Sequence, residues 1–280
     1  MYRRERAALW AALMVTTSID NMKLGFVGTG EITSAMVTGL SSYGAASHSI
    51  RLSPRNPDAA ADLAHRFPGV SVASSNQEVL DDCETVVIAV RPQVVRNVLS
   101  ELRFRPEHHV ISVVAALPLR TVSDLVAPAR QVTRAVPLPS TAKRLGPTAI
   151  YPPDRLVEDL FTTIGTVFAV ETEGEFDAMS AASATIASYF AFTDTVASWL
   201  AQNGVPESKA RDYIVRVFLG VTTAAVESPE HSFESLAGKH ATAGGINEQF
   251  LKYLIKQGVL DHVSKGLDAV MQRITATEKL

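Results

Sequence analysis

Cysteine occurs once in this chain, at Cys83, so an internal disulfide is excluded and the thiol usage suits a reducing, cytoplasmic compartment. Excess positive charge is also missing. The 26 Lys and Arg stand against 29 Asp and Glu, a net charge of −3, which leaves no basic field to hold nucleic acid. No apolar run reaches the roughly 18–20 residues that a bilayer-crossing helix needs. His108 and His109 are adjacent, so in a strand they face opposite ways and form no metal site. Cys83 precedes an apolar run, DDCETVVIAV, and reads as a small buried filler, not a nucleophile. Residues 1–21 place basic residues before a short apolar run, as a secretory signal does, but lack a small-x-small cleavage site. Met22 stands immediately before the first strand, and the extension is read as an upstream start or a disordered arm.

What is present begins with Lys23 to Met36, KLGFVGTGEITSAM: an apolar strand, a glycine turn and an amphipathic helix. Gly28 lets the chain turn sharply off the strand, and Gly30 lets backbone amides approach a pyrophosphate at the positive end of the helix. Thr33 replaces the third glycine of the usual fingerprint. The expected cofactor contacts here are Gly28, Thr29, Gly30, Glu31 and Ile32. The second strand ends at Ser53, where an acidic residue would bind a ribose 2′-hydroxyl; the chain offers Ser53, Arg55 and Asn56 instead. A guanidinium meets a phosphate through two parallel hydrogen bonds, so NADP(H) is preferred, with NAD(H) the alternative. Thr85 to Val90 is a continuous apolar run ending in Arg91-Pro92. In open parallel sheets ligands gather at the carboxyl ends of strands, so Val90, Arg91, Pro92 and Pro137, which follows another strand, border the nicotinamide half.

Strands and helices alternate to about Thr172, and from Glu173 the pattern is helical. The expected organisation is α/β: an N-terminal Rossmann dinucleotide-binding domain over residues 22–172, then an all-helical domain over 173–280. FDAMSAASATIASYFAFTDTVASWL reads as one long helix whose only charge between Ala178 and Leu200 is Asp194. Such a helix must be buried on most sides, which points to a partner subunit, against the alternative of a monomeric helical core. Ser232 to Gly238 reads as a short amphipathic turn. Later, Thr242, Gly244-Gly245 and Asn247 form a loop entering a helix, where free amides suit a carboxylate.

With these residues in place, the chain resembles the pyrroline-5-carboxylate reductase family from Met22 onward. GFVGTGEITSAM is similar to that family's opening, VVIAVRPQ to its fourth-strand turn, VISVVAALPL to its fifth strand, and the helix after VFAVE and the AGGIN loop follow in the right order. The resemblance implies NAD(P)H reduction of a cyclic imine to proline, and homodimers formed by interleaved C-terminal helices, from which larger assemblies are built in some members. It also implies that Gly244, Gly245, Ile246 and Asn247 bind substrate and that Asn247 and Thr242 serve catalysis. The chain departs from the family at Leu138-Pro139-Ser140, at Ala182 to Ala187, at the AGGIN loop and at Glu31. The leading expectation is reduction of 1-pyrroline-5-carboxylate. Reduction of a different imine, a 3-hydroxyacid dehydrogenase and a non-catalytic NADP-binding protein are the alternatives; the dehydrogenase wants a lysine that the helix from Phe176 to Leu200 lacks.

Overall fold

After Lys23 the first strand, β1 (Lys23–Val27), is buried at every position, as a central parallel strand must be. Its side chains alternate between faces: Leu24 and Phe26 enter one core and Val27 the other. The computed structural model describes residues 22–42 and 49–276; the expectation for residues 1–21 lies outside these. The chain continues through α1 (Glu31–Ser41), β2 (Ser49–Leu52), α2 (Pro57–Arg66), β3 (Val70–Val72), α3 (Asn76–Asp82), β4 (Thr85–Ile88) and α4 (Val95–Ser100). It goes on through β5 (His109–Ser112), α5 (Leu119–Leu125), β6 (Gln131–Val136), β7 (Pro147–Tyr151), α6 (Arg155–Thr162) and β8 (Thr166–Ala169).

The strands form one sheet in the order β3-β2-β1-β4-β5-β6-β7-β8. Pairing is parallel from β3 through to β6, antiparallel between β6 and β7, and parallel again to β8. Met36, Val37 and Leu40 of α1, Leu63 of α2 and Leu160 and Phe161 of α6 cover one face. Val79 and Leu80 of α3, Val95 and Leu99 of α4 and Val122 of α5 cover the other. Chain order reverses between β1 and β4, paired in register from Leu24–Thr85 to Val27–Ile88, and this is where a doubly wound sheet opens a crevice for a ligand.

Polar residues in this layer serve the fold. Burial lowers the His108 pKa, and its ring sits between two backbone groups, Nε2 2.9 Å from the Leu80 carbonyl and Nδ1 accepting the Arg105 amide at 2.9 Å. His109 Nε2 stands 3.1 Å from Asp154 Oδ2. The Cys83 thiol is buried, and desolvation pushes its pKa up to about 11, so it is unreactive at neutral pH.

The helical half begins with α7 (Glu173–Ser183) and α8 (Thr185–Gln202), followed by α9 (Glu207–Glu227), α10 (Phe233–His240), α11 (Ile246–Lys256) and α12 (Val259–Ala276). The single long helix expected from Phe176 to Leu200 is therefore two. At the break the Ala184 amide bonds back only three residues, to the Ala181 carbonyl, and the Thr185 hydroxyl donates to the Ala182 carbonyl at 2.8 Å. The stretch expected as a short turn is α10, a helix whose start is capped by the Ser232 hydroxyl, accepting from the Ser235 amide at 3.1 Å.

The chain divides into two compact units, one running to Ser180 with Arg273 onward added, the other Ala181–Gln272. Contact thus divides the chain within α7, whose Phe176 belongs to the sheet unit's core. In the second unit α8 buries no residue at all, and Phe190, Trp199, Tyr213 and Phe233 are 59–82% exposed. A monomeric helical core does not form; the rings of Tyr189 and Phe192 lie 5.7 and 6.0 Å from Phe218 while much of the apolar surface stays open. No helix among the described residues is long and apolar enough to cross a membrane.

Candidate functional site

At the end of β1, Gly28 has a φ of +106°, which L side chains rarely adopt, and a Cβ there would lie 2.6 Å from the Ala89 carbonyl oxygen. The turn is therefore glycine because the backbone following β4 presses against it. Beneath the turn, the Gly28 amide donates to Ser53 Oγ at 2.9 Å and the Thr29 hydroxyl donates to the Ser53 carbonyl at 2.8 Å. From the side, Asn56 Nδ2 donates to the Thr29 carbonyl at 3.0 Å. The Thr33 hydroxyl donates to the Gly28 carbonyl at 2.7 Å. Thr33, where the fingerprint would have glycine, thus ties the helix back onto the loop, a role the sequence did not announce.

This fastening reassigns two expected cofactor contacts. Ser53 has no exposed surface and Thr29 has 3%, and their polar groups bond to the loop itself, so they shape the turn from below. Gly30 is different. Its φ of −99° is open to any residue, and a Cβ there would meet nothing within 4 Å. It begins α1, no side chain caps that helix, and its first turn carries exposed Glu31 and half-buried Ile32. Arg55 is exposed at the end of β2, with no ion-pair partner among the described residues.

Three further strand ends lie along the same carboxyl edge of the sheet. After β4, Val90 is half-buried and its amide nitrogen lies 2.9 Å from the position a Gly28 Cβ would take, while Arg91 and Pro92 are exposed. After β5, Ala116 takes a φ of +52°, unusual for a residue other than glycine. After β6, Pro137 is buried, and the Leu138 carbonyl accepts from both the amide and the hydroxyl of Thr141 at 2.9 and 2.8 Å, closing a 3-10 turn over Pro139–Lys143.

In the second unit the loop before α11 is bonded to itself. Gly244, at a φ of +75°, donates its amide to Glu248 Oε2 at 2.9 Å, and the Gly245 amide donates to the Thr242 carbonyl at 2.8 Å. The expectation that both glycine amides are free for a carboxylate is therefore corrected: the chain's own acceptors take them. The Lys252 ammonium, then the Gly244 amide, hold the Glu248 carboxyl below its usual pKa. Asn247 Nδ2 donates to the His240 carbonyl at 3.2 Å, and Thr242 and Ile246 are exposed. Among the described residues no group of His, Cys, Asp and Glu is arranged to hold a metal.

Two family models match this chain. Residues 23–116 match "NADP oxidoreductase coenzyme F420-dependent", and residues 173–277 match "Pyrroline-5-carboxylate reductase dimerisation". The pyrroline-5-carboxylate reductase of Vibrio alginolyticus is 24% identical over 272 residues, 94% of this chain and 100% of that one. The enzyme of the same name from Escherichia coli K12 is 24% identical over 268 residues, 92% of this chain and 98% of its own. Among solved structures, 1-pyrroline-5-carboxylate reductase from Streptococcus pyogenes superposes with a TM-score of 0.81 at 23% identity, covering 91% of this chain and 98% of that one. The Plasmodium falciparum pyrroline carboxylate reductase, solved with NADP bound, gives 0.80 at 19% identity, covering 93% and 99%. With a Rossmann unit built round a glycine loop, followed in order by the matched dimerisation segment, the chain is similar to pyrroline-5-carboxylate reductases over nearly its whole length.

Proposed function

We propose that this protein is an NADPH-dependent reductase that converts 1-pyrroline-5-carboxylate to proline. The observation that carries the reading is the contrast between two glycines of one loop. The protein's own atoms demand Gly28, but nothing among the described residues demands Gly30. A glycine with open space at the start of an 11-residue helix is explained by a pyrophosphate that must come close to its amides. The residues present fit such a cofactor: Gly30 to Ile32 take the pyrophosphate, Val90, Arg91, Pro92 and Pro137 border the nicotinamide, and Arg55 takes the adenosine 2′-phosphate. A free guanidinium there favours NADP(H) over NAD(H).

Bound NADPH supplies the hydride, and the protein supplies orientation and charge. A C=N bond is reduced fastest as its iminium, whose N–H needs an acceptor. Asn247 commits Nδ2 to the His240 carbonyl, which leaves Oδ1 to accept a hydrogen bond from that N–H, with Thr242 in the same loop. With the two glycine amides engaged, the amides of Ile246 and Asn247 in the first turn of α11 are the receptor for the substrate carboxylate. Holding the imine carbon against the nicotinamide is worth up to about 7–11 kcal/mol in favourable cases. We assign residues 22–172 to the cofactor and 173–280 to substrate and dimerisation. The bare apolar faces of α8 and α9 support a homodimer.

A second reading, reduction of a more apolar imine, is favoured by Ile246, which is 83% exposed beside Asn247. NADPH oxidation with 1-pyrroline-5-carboxylate, with an uncharged cyclic imine and, in reverse, with 3-hydroxyacids separates the readings. Turnover of the imine carboxylate supports the first, and turnover of the uncharged imine alone supports the second. Hydroxyacid oxidation, or NADPH binding without turnover, contradicts both.

A further inference from the structure

Arg134, on β6, is 3% exposed and sits in a cluster that the proposed chemistry does not use. Its Nη1 donates to Glu173 Oε1 at 2.6 Å and lies 3.1 Å from Asp177 Oδ1, and its guanidinium carbon is 4.3 Å from the Phe176 ring centroid. The same Glu173 oxygen accepts the amide of Leu119 at 2.6 Å. Leu119 opens α5, and the residue before it, Pro118, has no side chain that could cap a helix, so Glu173 performs that function from the far end of the unit's sequence.

One carboxylate oxygen therefore ties down two strand ends. Residues 113–118 lead from β5 into Leu119 and include Ala116, held at its unusual φ of +52°. Pro137 and Leu138 follow the end of β6 at Val136, two residues beyond Arg134. Both segments leave the carboxyl edge of the sheet, on the side of the switch point away from β2 and Arg55. Packing alone does not call for the arrangement. Two carboxylates on one buried guanidinium are costly to desolvate, and Asp177 already neutralises Arg134. What Glu173 adds is the bond to Leu119.

We propose that Glu173 is a positioning residue: through Arg134 and Leu119 it fixes the two strand ends that border the nicotinamide, and so the alignment of the hydride donor, without touching the pyrophosphate and adenosine contacts. The kinetic consequence rests on the reductase reading above; the structural one does not. Glu173→Ala leaves Arg134 and Asp177 as a neutral pair, so the fold is kept, and Glu173→Gln restores both acceptor bonds. In the full chain, Glu173→Ala should raise amide hydrogen exchange over residues 113–120 and lower kcat about tenfold, with NADPH Kd within about twofold and Glu173→Gln recovering most of the loss. Unchanged exchange over that segment, or kcat and NADPH affinity lost in proportion without rescue by Glu173→Gln, would overturn the proposal. If the unaltered protein turns over no imine, the reductase reading alone fails. Exchange over 113–120 and the fluorescence of bound NADPH then decide: both altered in Glu173→Ala supports the clamp, and either unaltered overturns it.

Discussion

The buried hydroxyl of Ser53 accepts the amide proton of Gly28 at 2.9 Å, so the end of the second strand sets the shape of the turn that leaves the first. Ser53→Ala would leave that buried amide without its acceptor, at a cost of about 1–3 kcal/mol. A lowered Tm is expected together with weaker NADPH binding, since the loop that presents the amides of α1 is loosened. Thermal unfolding and a fluorescence titration of NADPH on the same variant check this; an unchanged Tm contradicts the role.

Glu31 puts a carboxylate in the first turn of α1, where the helix favours negative charge and where the proposed pyrophosphate would bind. The two anions compete for one field. Glu31→Gln should tighten NADPH by roughly two- to fivefold at low salt, the size of a single charge at a helix end, with the gain shrinking as ionic strength rises. Equal affinities across the salt range would show that the side chain turns to solvent.

Arg55 is the residue proposed above to select the cofactor. Removing a charge-assisted contact costs about 1.5–3 kcal/mol, so Arg55→Ala should weaken NADPH roughly 10- to 100-fold and leave NADH nearly unchanged. Parallel titrations of both cofactors decide it, and an equal loss for the two would remove Arg55 from the 2′-phosphate.

Asn247→Ala removes the acceptor assigned to the iminium N–H and also the donor to the His240 carbonyl. Turnover should fall by more than tenfold while NADPH Kd holds within about twofold, because the loss is of an interaction made at the reacting atoms. Steady-state kinetics alongside a binding titration test this; a parallel loss of both, or of neither, contradicts the role.

Much of the Rossmann unit was legible because its strands are uninterrupted apolar runs and its helices amphipathic, and hydrophobic periodicity registers both. The glycine loop was legible as a motif, but its internal wiring was not. Ser53 and Thr29 read as ligand contacts because a hydroxyl at a strand end can face either way, and only the fold shows both bonded inward. The same holds for Gly244 and Gly245, whose amides are claimed by Glu248 and by the Thr242 carbonyl. Arg134 and Glu173 lie 39 residues apart, so no local pattern could pair them. The break at Ala184 is not legible in the sequence because neither glycine nor proline marks it; a threonine hydroxyl closes the preceding turn instead.

The most direct test of the account is to follow the hydride itself. The protein is supplied with 1-pyrroline-5-carboxylate and NADPH carrying deuterium at both positions of the nicotinamide C4, and the product is read by mass spectrometry. Proline carrying one deuterium at C5 is expected, formed in step with NADPH oxidation and more than tenfold more slowly in Asn247→Ala. NADPH bound but not consumed, or consumed without labelled proline, would contradict it.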